Sequence, residues 1–217
     1  MTRRKTIDLT CPNCDRHFTS EVVELVRTGG RKRTDFHLAI DGVQALLHGV
    51  HLCAQCGFAG PESWFADRGG VSDEVRHHVW DELTPKLSGA TPPASEKYEF
   101  AAKVATWDGA MPREVGDIWL RAAWCCVDEG DIEAERFYRR HAAWSFEEAL
   151  ETYDGVDPKE RAVLTYLVGE LWRRIGDTQR ATTWLAAVES EVIAGREQAW
   201  IVRLAKQQQE DPCEWLS

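Results

Sequence analysis

The residues best suited to chemistry are two cysteine pairs, Cys11-Pro12-Asn13-Cys14 and Cys53-Ala54-Gln55-Cys56. A Cys-x-x-Cys turn places two sulfurs on one side of an ion, with backbone N–H groups directed at them. Two such turns supply four soft ligands, the tetrahedral sulfur set that Zn2+ favours. Gly57 follows the second pair, where a residue free to take positive φ lets the chain leave the turn. Asp15 holds the matching place after the first pair, and Asp tolerates that conformation better than most residues. Four thiolates leave no coordination position for water or substrate, so the expected role of one bound zinc is structural. Other readings stay open at this spacing. A rubredoxin-like sulfur site would hold iron. A thiol redox sensor would need the same sulfurs to be accessible and of lowered pKa. A thioredoxin-like centre would need one pair beside a βαβ pattern, which the chain lacks. His17 and His51 lie near enough to replace a cysteine, though histidines so placed more often support ligands than act as them.

The other chemically suggestive residues are weaker signals. Arg27, Arg31, Lys32 and Arg33 surround Gly29-Gly30 and are candidate phosphate contacts. They also fit the solvated tip of a hairpin, with the glycines in the turn. The run has no interleaved aromatic residues on which bases would stack. His77 and His78 stand at helical spacing from Glu74 and Asp81, an arrangement that surface charge on an exposed helix explains. Cys125 and Cys126 fall inside a helical pattern as small packing residues, and Cys213 is a further free thiol. The chain has no phosphate loop, dinucleotide fingerprint, nucleophile elbow or His-Glu-x-x-His. No catalytic residues are therefore assigned, and a binding protein is expected in preference to an enzyme.

These groups must be positioned by a chain of 217 residues with 43% hydrophobic and 29% charged residues. That balance suits a soluble protein with a sizeable core. No apolar run approaches the roughly 18 residues of a membrane span. No apolar segment follows the basic first residues, so a cytoplasmic, reducing setting is expected, where paired cysteines hold metal more often than disulfides. The formal net charge is −10, yet the first 60 residues carry 8 Lys+Arg against 6 Asp+Glu. The acidic remainder argues against nucleic-acid binding by the whole chain.

The 38 residues between the cysteine pairs read as strands: Phe18 to Val26 is rich in Val and Phe, and Phe36, Leu38 and Ile40 alternate. They suggest a zinc ribbon in which one long hairpin brings the two turns together. From about residue 71 the apolar period changes to that of a helix. Helices are expected over 72–87, from a Ser95 cap to Asp108-Gly109, over 112–129 and 131–153, from an Asp157 cap to Gly176, and over 178–193 and 196–210. The expected class is thus α+β, with a zinc-ribbon-like hairpin module over 1–66 and an all-α domain over 71–217.

Two stretches of the helical part resemble tetratricopeptide repeats. One runs from Trp119-Leu120-Arg121-Ala122-Ala123 through Gly130-Asp131 to Phe137-Tyr138 and Ala142. The other runs from Tyr166-Leu167-Val168-Gly169-Glu170-Leu171-Trp172 through Gly176-Asp177 to Ala181 and Trp184-Leu185. Glu135 departs from the pattern, and the Gly-Asp turns are 46 residues apart, against about 34 in regular arrays. The resemblance implies a short solenoid, with Ala123 and Gly169 allowing close helix approach and Trp119, Trp172 and Trp184 filling the space between pairs. It places Asp117, Leu120, Trp124, Tyr166, Glu170, Arg173 and Arg174 toward an inner groove, where such proteins take a peptide or another protein's helix.

The whole layout resembles a bacterial family catalogued as domain of unknown function 2225. The segments that carry the likeness are Cys11-Pro12-Asn13-Cys14 with Phe18, Arg33-Thr34-Asp35-Phe36, and Val50-His51-Leu52-Cys53-Ala54-Gln55-Cys56-Gly57-Phe58-Ala59. Lys97-Tyr98-Glu99-Phe100-Ala101-Ala102 and Leu120-Arg121-Ala122-Ala123-Trp124-Cys125-Cys126 complete it. The family is read as a zinc-ribbon-like module joined to tetratricopeptide-like helices, without an established activity. The resemblance implies architecture, and it leaves an adaptor that binds a protein or peptide partner as the expected function.

Overall fold

The computed structural model describes residues 3–24, 29–40, 44–66, 70–152, 155–192 and 198–216. The fold is α+β. Strands β1 (Arg4–Thr10) and β2 (His17–Val23) pair antiparallel from Arg4↔Val23 to Thr10↔His17. Strands β5 (His51–Leu52) and β6 (Ala59–Gly60) pair in the same sense. Each cysteine turn closes one of these pairs. The intervening residues do not form one long hairpin. Instead β3 (Gly30–Lys32) pairs with β4 (Leu38–Ile40), and the turn between them is Arg33–His37. Gly30 lies in a strand opposite Ile40 and not at the expected hairpin tip.

Seven α-helices follow among the described residues. Helix α1 (Asp73–His78) starts at Ser72, whose Oγ accepts from the Val75 N–H at 3.2 Å. It widens over Val79–Leu83 and tightens over Thr84–Lys86. Helix α2 (Ala94–Trp107) is not capped by Ser95 as expected. Pro93 takes the cap position, and the Ser95 N–H and Oγ both donate to Glu129 at 3.2 and 2.5 Å. A carboxylate from the end of α3 (Pro112–Glu129) thus satisfies the start of α2. Asp131, Asp157 and Asp177 cap α4 (Ile132–Glu151), α5 (Pro158–Ile175) and α6 (Thr178–Ala187) through side-chain oxygens. Helix α7 (Ala199–Glu210) completes the set. No described helix is long and apolar enough to cross a membrane.

Successive helices from α2 to α6 pack on one another. At Gly169 a Cβ would lie 2.8 Å from Leu185 Cγ and 3.0 Å from the Leu185 nitrogen, so α5 and α6 approach as closely as a bare backbone permits. Trp119 and Trp172 are buried and Trp184 is partly buried. One cluster of buried side chains draws on residues from both sides of positions 66–71. Cys11, Cys53, Cys56 and Phe58 share one apolar cluster with Val75, Val79 and Leu83, with Phe100 and Trp119, and with Leu164, Leu167, Val168 and Leu171 of α5.

Candidate metal centre and helical groove

The four thiols of Cys11, Cys14, Cys53 and Cys56 converge, with all sulfurs within 4.8 Å of one another. The Cys11–Cys56 and Cys14–Cys53 separations are 3.7 and 3.6 Å. An ion at the centre of a sulfur tetrahedron with bonds of about 2.3 Å sets its ligands about 3.8 Å apart. Two of the six sulfur separations thus match that spacing, and the four donors lie close enough together to hold a metal ion. Cys11, Cys53 and Cys56 are fully buried, and Cys14 forms the half-exposed edge.

The two turns have matching backbones, which is why the spacing works. The Cys11 N–H donates to the Arg16 carbonyl at 2.9 Å and the Asp15 N–H to the Cys11 carbonyl at 2.9 Å. The Cys53 N–H donates to the Phe58 carbonyl at 2.9 Å and the Gly57 N–H to the Cys53 carbonyl at 2.8 Å. Asp15 and Gly57 both take positive φ, 57° and 86°. Only the second position must be glycine, because a Cβ there would lie 2.9 Å from Leu83 Cβ and 3.3 Å from the Leu83 carbonyl carbon. Thr84 Oγ1 donates to the Cys56 carbonyl at 2.7 Å, so the helical part clamps the second turn. Gly57→Ala combines left-handed strain with this collision. It is expected to lower stability by about 2 kcal/mol, read as a reduced urea midpoint, with metal content per chain unchanged.

Charge explains why such a cluster calls for a cation. Hydrogen bonding with Cys53, together with burial, pushes the Cys11 thiol up to about 12, and hydrogen bonding with Cys11 raises Cys56 further. The Cys53 thiol is pulled down by hydrogen bonds from Cys11 and Cys56 and by nearby backbone N–H groups. Four thiolates this close together repel one another, and a positive ion among them offsets that repulsion. The nearby histidines do not replace a cysteine. The His17 ring lies 2.9 Å from Thr10 Oγ1, and the His51 ring 2.8 Å from Ser20 Oγ. His77 pairs with Asp81 on an exposed surface, and His78 pairs with Glu82 and stacks on Trp107.

A family model described as "Uncharacterized protein conserved in bacteria (DUF2225)" matches residues 5–211. The chain belongs to the DUF2225 family. No curated protein and no solved structure matches it. In this DUF2225 member the matched span takes in both cysteine turns, the Arg33–His37 turn and all seven helices.

That Arg33–His37 turn occupies one end of the groove expected on the helices. Thr34 and Asp35 are fully buried there. The Tyr166 hydroxyl donates to the Thr34 carbonyl at 2.9 Å, and Thr34 Oγ1 donates to Glu170 Oε1 at 2.6 Å. Glu170 also accepts from Arg173 at 2.8 Å and from Arg174 at 2.6 Å. Trp124 Nε1 donates to Asp35 Oδ2 at 3.3 Å, and Arg139 Nη1 donates to the same oxygen at 2.7 Å. Burial by itself would raise the Asp35 pKa, but Arg139, Arg174 and Arg33 override it and hold the carboxyl well below the usual carboxylate range. Sequence reasoning missed Arg139, which is fully buried in α4. Its signal was positional: it shares the face of Ala142, Ala143 and Phe146, where a charged residue needs a partner.

The groove residues therefore divide. Tyr166, Glu170 and Arg174 bond the chain's own turn and Arg173 pairs with Glu170, whereas Asp117 and Leu120 line an open cleft of about 310 Å3, and Trp124 does both. Phe36, Val163, Leu164 and Leu167 supply its apolar walls, and Arg113, ion-paired with Asp117, stands at its rim. Of the candidate phosphate contacts, Arg27 lies outside the described residues. Arg31 stacks 4.5 Å from the Trp215 ring centre, Lys32 lies 4.9 Å from that of Phe36, and Arg33 pairs with Glu214 at 2.9 Å.

Proposed function

We propose that this protein is a cytoplasmic, zinc-stabilised adaptor whose helices take a peptide segment of another protein. Zinc suits the centre because the closed set of four thiolates offers no position for substrate and a d10 ion needs nothing else from its ligands. The observation that carries the partner reading is the open cleft between α3 and α5. Its volume of about 310 Å3 lies at the lower end of the range that binding pockets span. Its apolar walls and charged rim suit one large aliphatic or aromatic side chain on a peptide. Arg31, Lys32 and Arg33 already face rings or a carboxylate of their own chain, which favours a protein partner over phosphate contacts.

The test is peptide display selection against the purified protein, followed by affinity measurement with the Val163→Arg variant. Val163 is half-buried at the cleft, so the variant should keep its helicity and thermal midpoint. Loss of affinity of about tenfold or more, or about 1.4 kcal/mol, is expected. Selected peptides that bind the variant as tightly as the wild type would remove the cleft as the binding site.

A further inference from the structure

The outer edge of β3 is not free. The Thr34 N–H donates to the Glu214 carbonyl at 3.1 Å, the Leu216 N–H donates to the Lys32 carbonyl at 2.9 Å, and Arg33 forms an antiparallel bridge with Trp215. Residues 213–216 thus lie along β3 as an added strand. The Glu214 carboxylate meets Arg33 Nη2 and Arg174 Nη1 at 2.9 Å each, and Arg173 Nη2 at 4.0 Å. The Trp215 ring lies beneath the guanidinium groups of Arg31, at 4.5 Å, and Arg33, at 5.7 Å.

The two sides of this contact are unequal. Among residues 211–216 none is buried, and the Glu214 side chain is 55% exposed. The receiving side is built in. Arg174 is 5% exposed and Thr34 and Asp35 are fully buried. Glu170 holds Arg173 and Arg174 from behind, and Asp35 lies 3.9 Å from both Arg174 and Arg33. Arg173 and Arg174 would keep their positions with Glu214 withdrawn, because Glu170 bonds both. Arg33, Arg139, Arg173 and Arg174 then face Asp35, Glu135 and Glu170, four guanidinium groups against three carboxylates, and one further negative charge is needed for balance. Beside Trp215 and Leu216 a second cleft of about 630 Å3 opens, walled by Trp200, Arg203, Leu204 and Gln207.

We infer that the β3 edge, with Arg33, Arg173 and Arg174 beneath it, is a strand-addition site for an extended segment of a partner protein bearing an acidic residue followed by an aromatic one. Residues 213–216 fill it as a stand-in. Main-chain pairing supplies affinity, and the arginine cradle and the tryptophan slot supply sequence preference. The occupant in cis lowers the apparent affinity of a partner by the fraction of time that it is seated. The site is separate from the cleft between α3 and α5, so it stands whether or not that cleft takes a partner.

The test uses a fluorescein-labelled peptide with the sequence of residues 210–217, serine replacing Cys213, and the full-length protein. Glu214→Arg should unseat the stand-in and raise peptide affinity about tenfold over wild type. A peptide carrying Glu214→Lys should not bind either protein. Val163→Arg should bind the peptide as the wild type does, which separates this site from the cleft. In the wild-type chain, the Leu216 amide should exchange on the order of 100-fold faster than core amides of α5, and excess peptide should protect the Thr34 amide. The exchange measurement decides the matter if Glu214→Arg does not fold. Absence of peptide binding to a folded Glu214→Arg chain would overturn the inference, as would equal binding of the Glu214→Lys peptide. So would a concentration-dependent dimer without peptide affinity, which would assign the edge to a second copy of the chain.

Discussion

Cys53→Ser is expected to abolish metal binding and to lower the thermal midpoint by about 10–20 °C, the equivalent of about 5 kcal/mol for a chain of this size. The effect is large because the sulfur cluster is not an appendage. Cys11, Cys53 and Cys56 are fully buried in the apolar cluster that contains Val75, Val79 and Leu83. Losing the ion leaves thiols that cannot share charge at the point where Thr84 and Leu83 press on the second turn. Chelation of the wild type should give the same endpoint. Far-ultraviolet helicity, tryptophan fluorescence and metal release should then follow one curve as chelator is added. If the helical signal survives with an unchanged midpoint, α2 to α7 hold a core of their own and the sulfur cluster is peripheral to it.

What the sequence made legible is what short-range chemistry determines. The paired cysteines, and Asp15 and Gly57 after them, are each decided within a few residues, and all four sulfurs and both positive φ angles follow. Helix limits were legible for the same reason: Ser72, Asp131 and Asp157 cap within three residues of themselves. Ser95 shows where that reasoning stops, since its chemistry is that of a cap but the nearest acceptor is Glu129 on another helix. The destination of the Arg33–His37 turn was not legible. It depends on Asp35 meeting Arg139, 104 residues away, and on Thr34 meeting Glu170, 136 residues away. No local pattern pairs residues so distant. The same holds for the basic run. The aromatic partner absent from its own segment is Trp215, brought to Arg31 and Arg33 by main-chain pairing across the fold.

Asp35→Leu is expected to cost about 3–5 kcal/mol at pH 7, because among the described residues it leaves the fully buried Arg139 with Glu135 as its one remaining acidic contact. Pairing it with Arg139→Met should recover much of that loss, since an apolar pair of similar volume needs no counter-charge. The dependence on pH follows from the sign of the Asp35 shift. Its folded pKa is depressed, by Arg139, Arg174 and Arg33 acting against burial. The stability it contributes is therefore complete above the unfolded value of about 3.9 and is lost as pH falls below that value toward the folded one. Acid would also release a metal held by the thiolates, in wild type and variant alike, so the informative quantity is the difference between the two proteins. Measured by urea denaturation, that difference should be constant from pH 7 to about pH 5 and should shrink below about pH 4. A difference that stays constant into acid would mean that Asp35 acts through its shape and not through its charge. A double variant no more stable than Asp35→Leu alone would mean that Arg139 is held by the groove as a whole and not by this carboxylate.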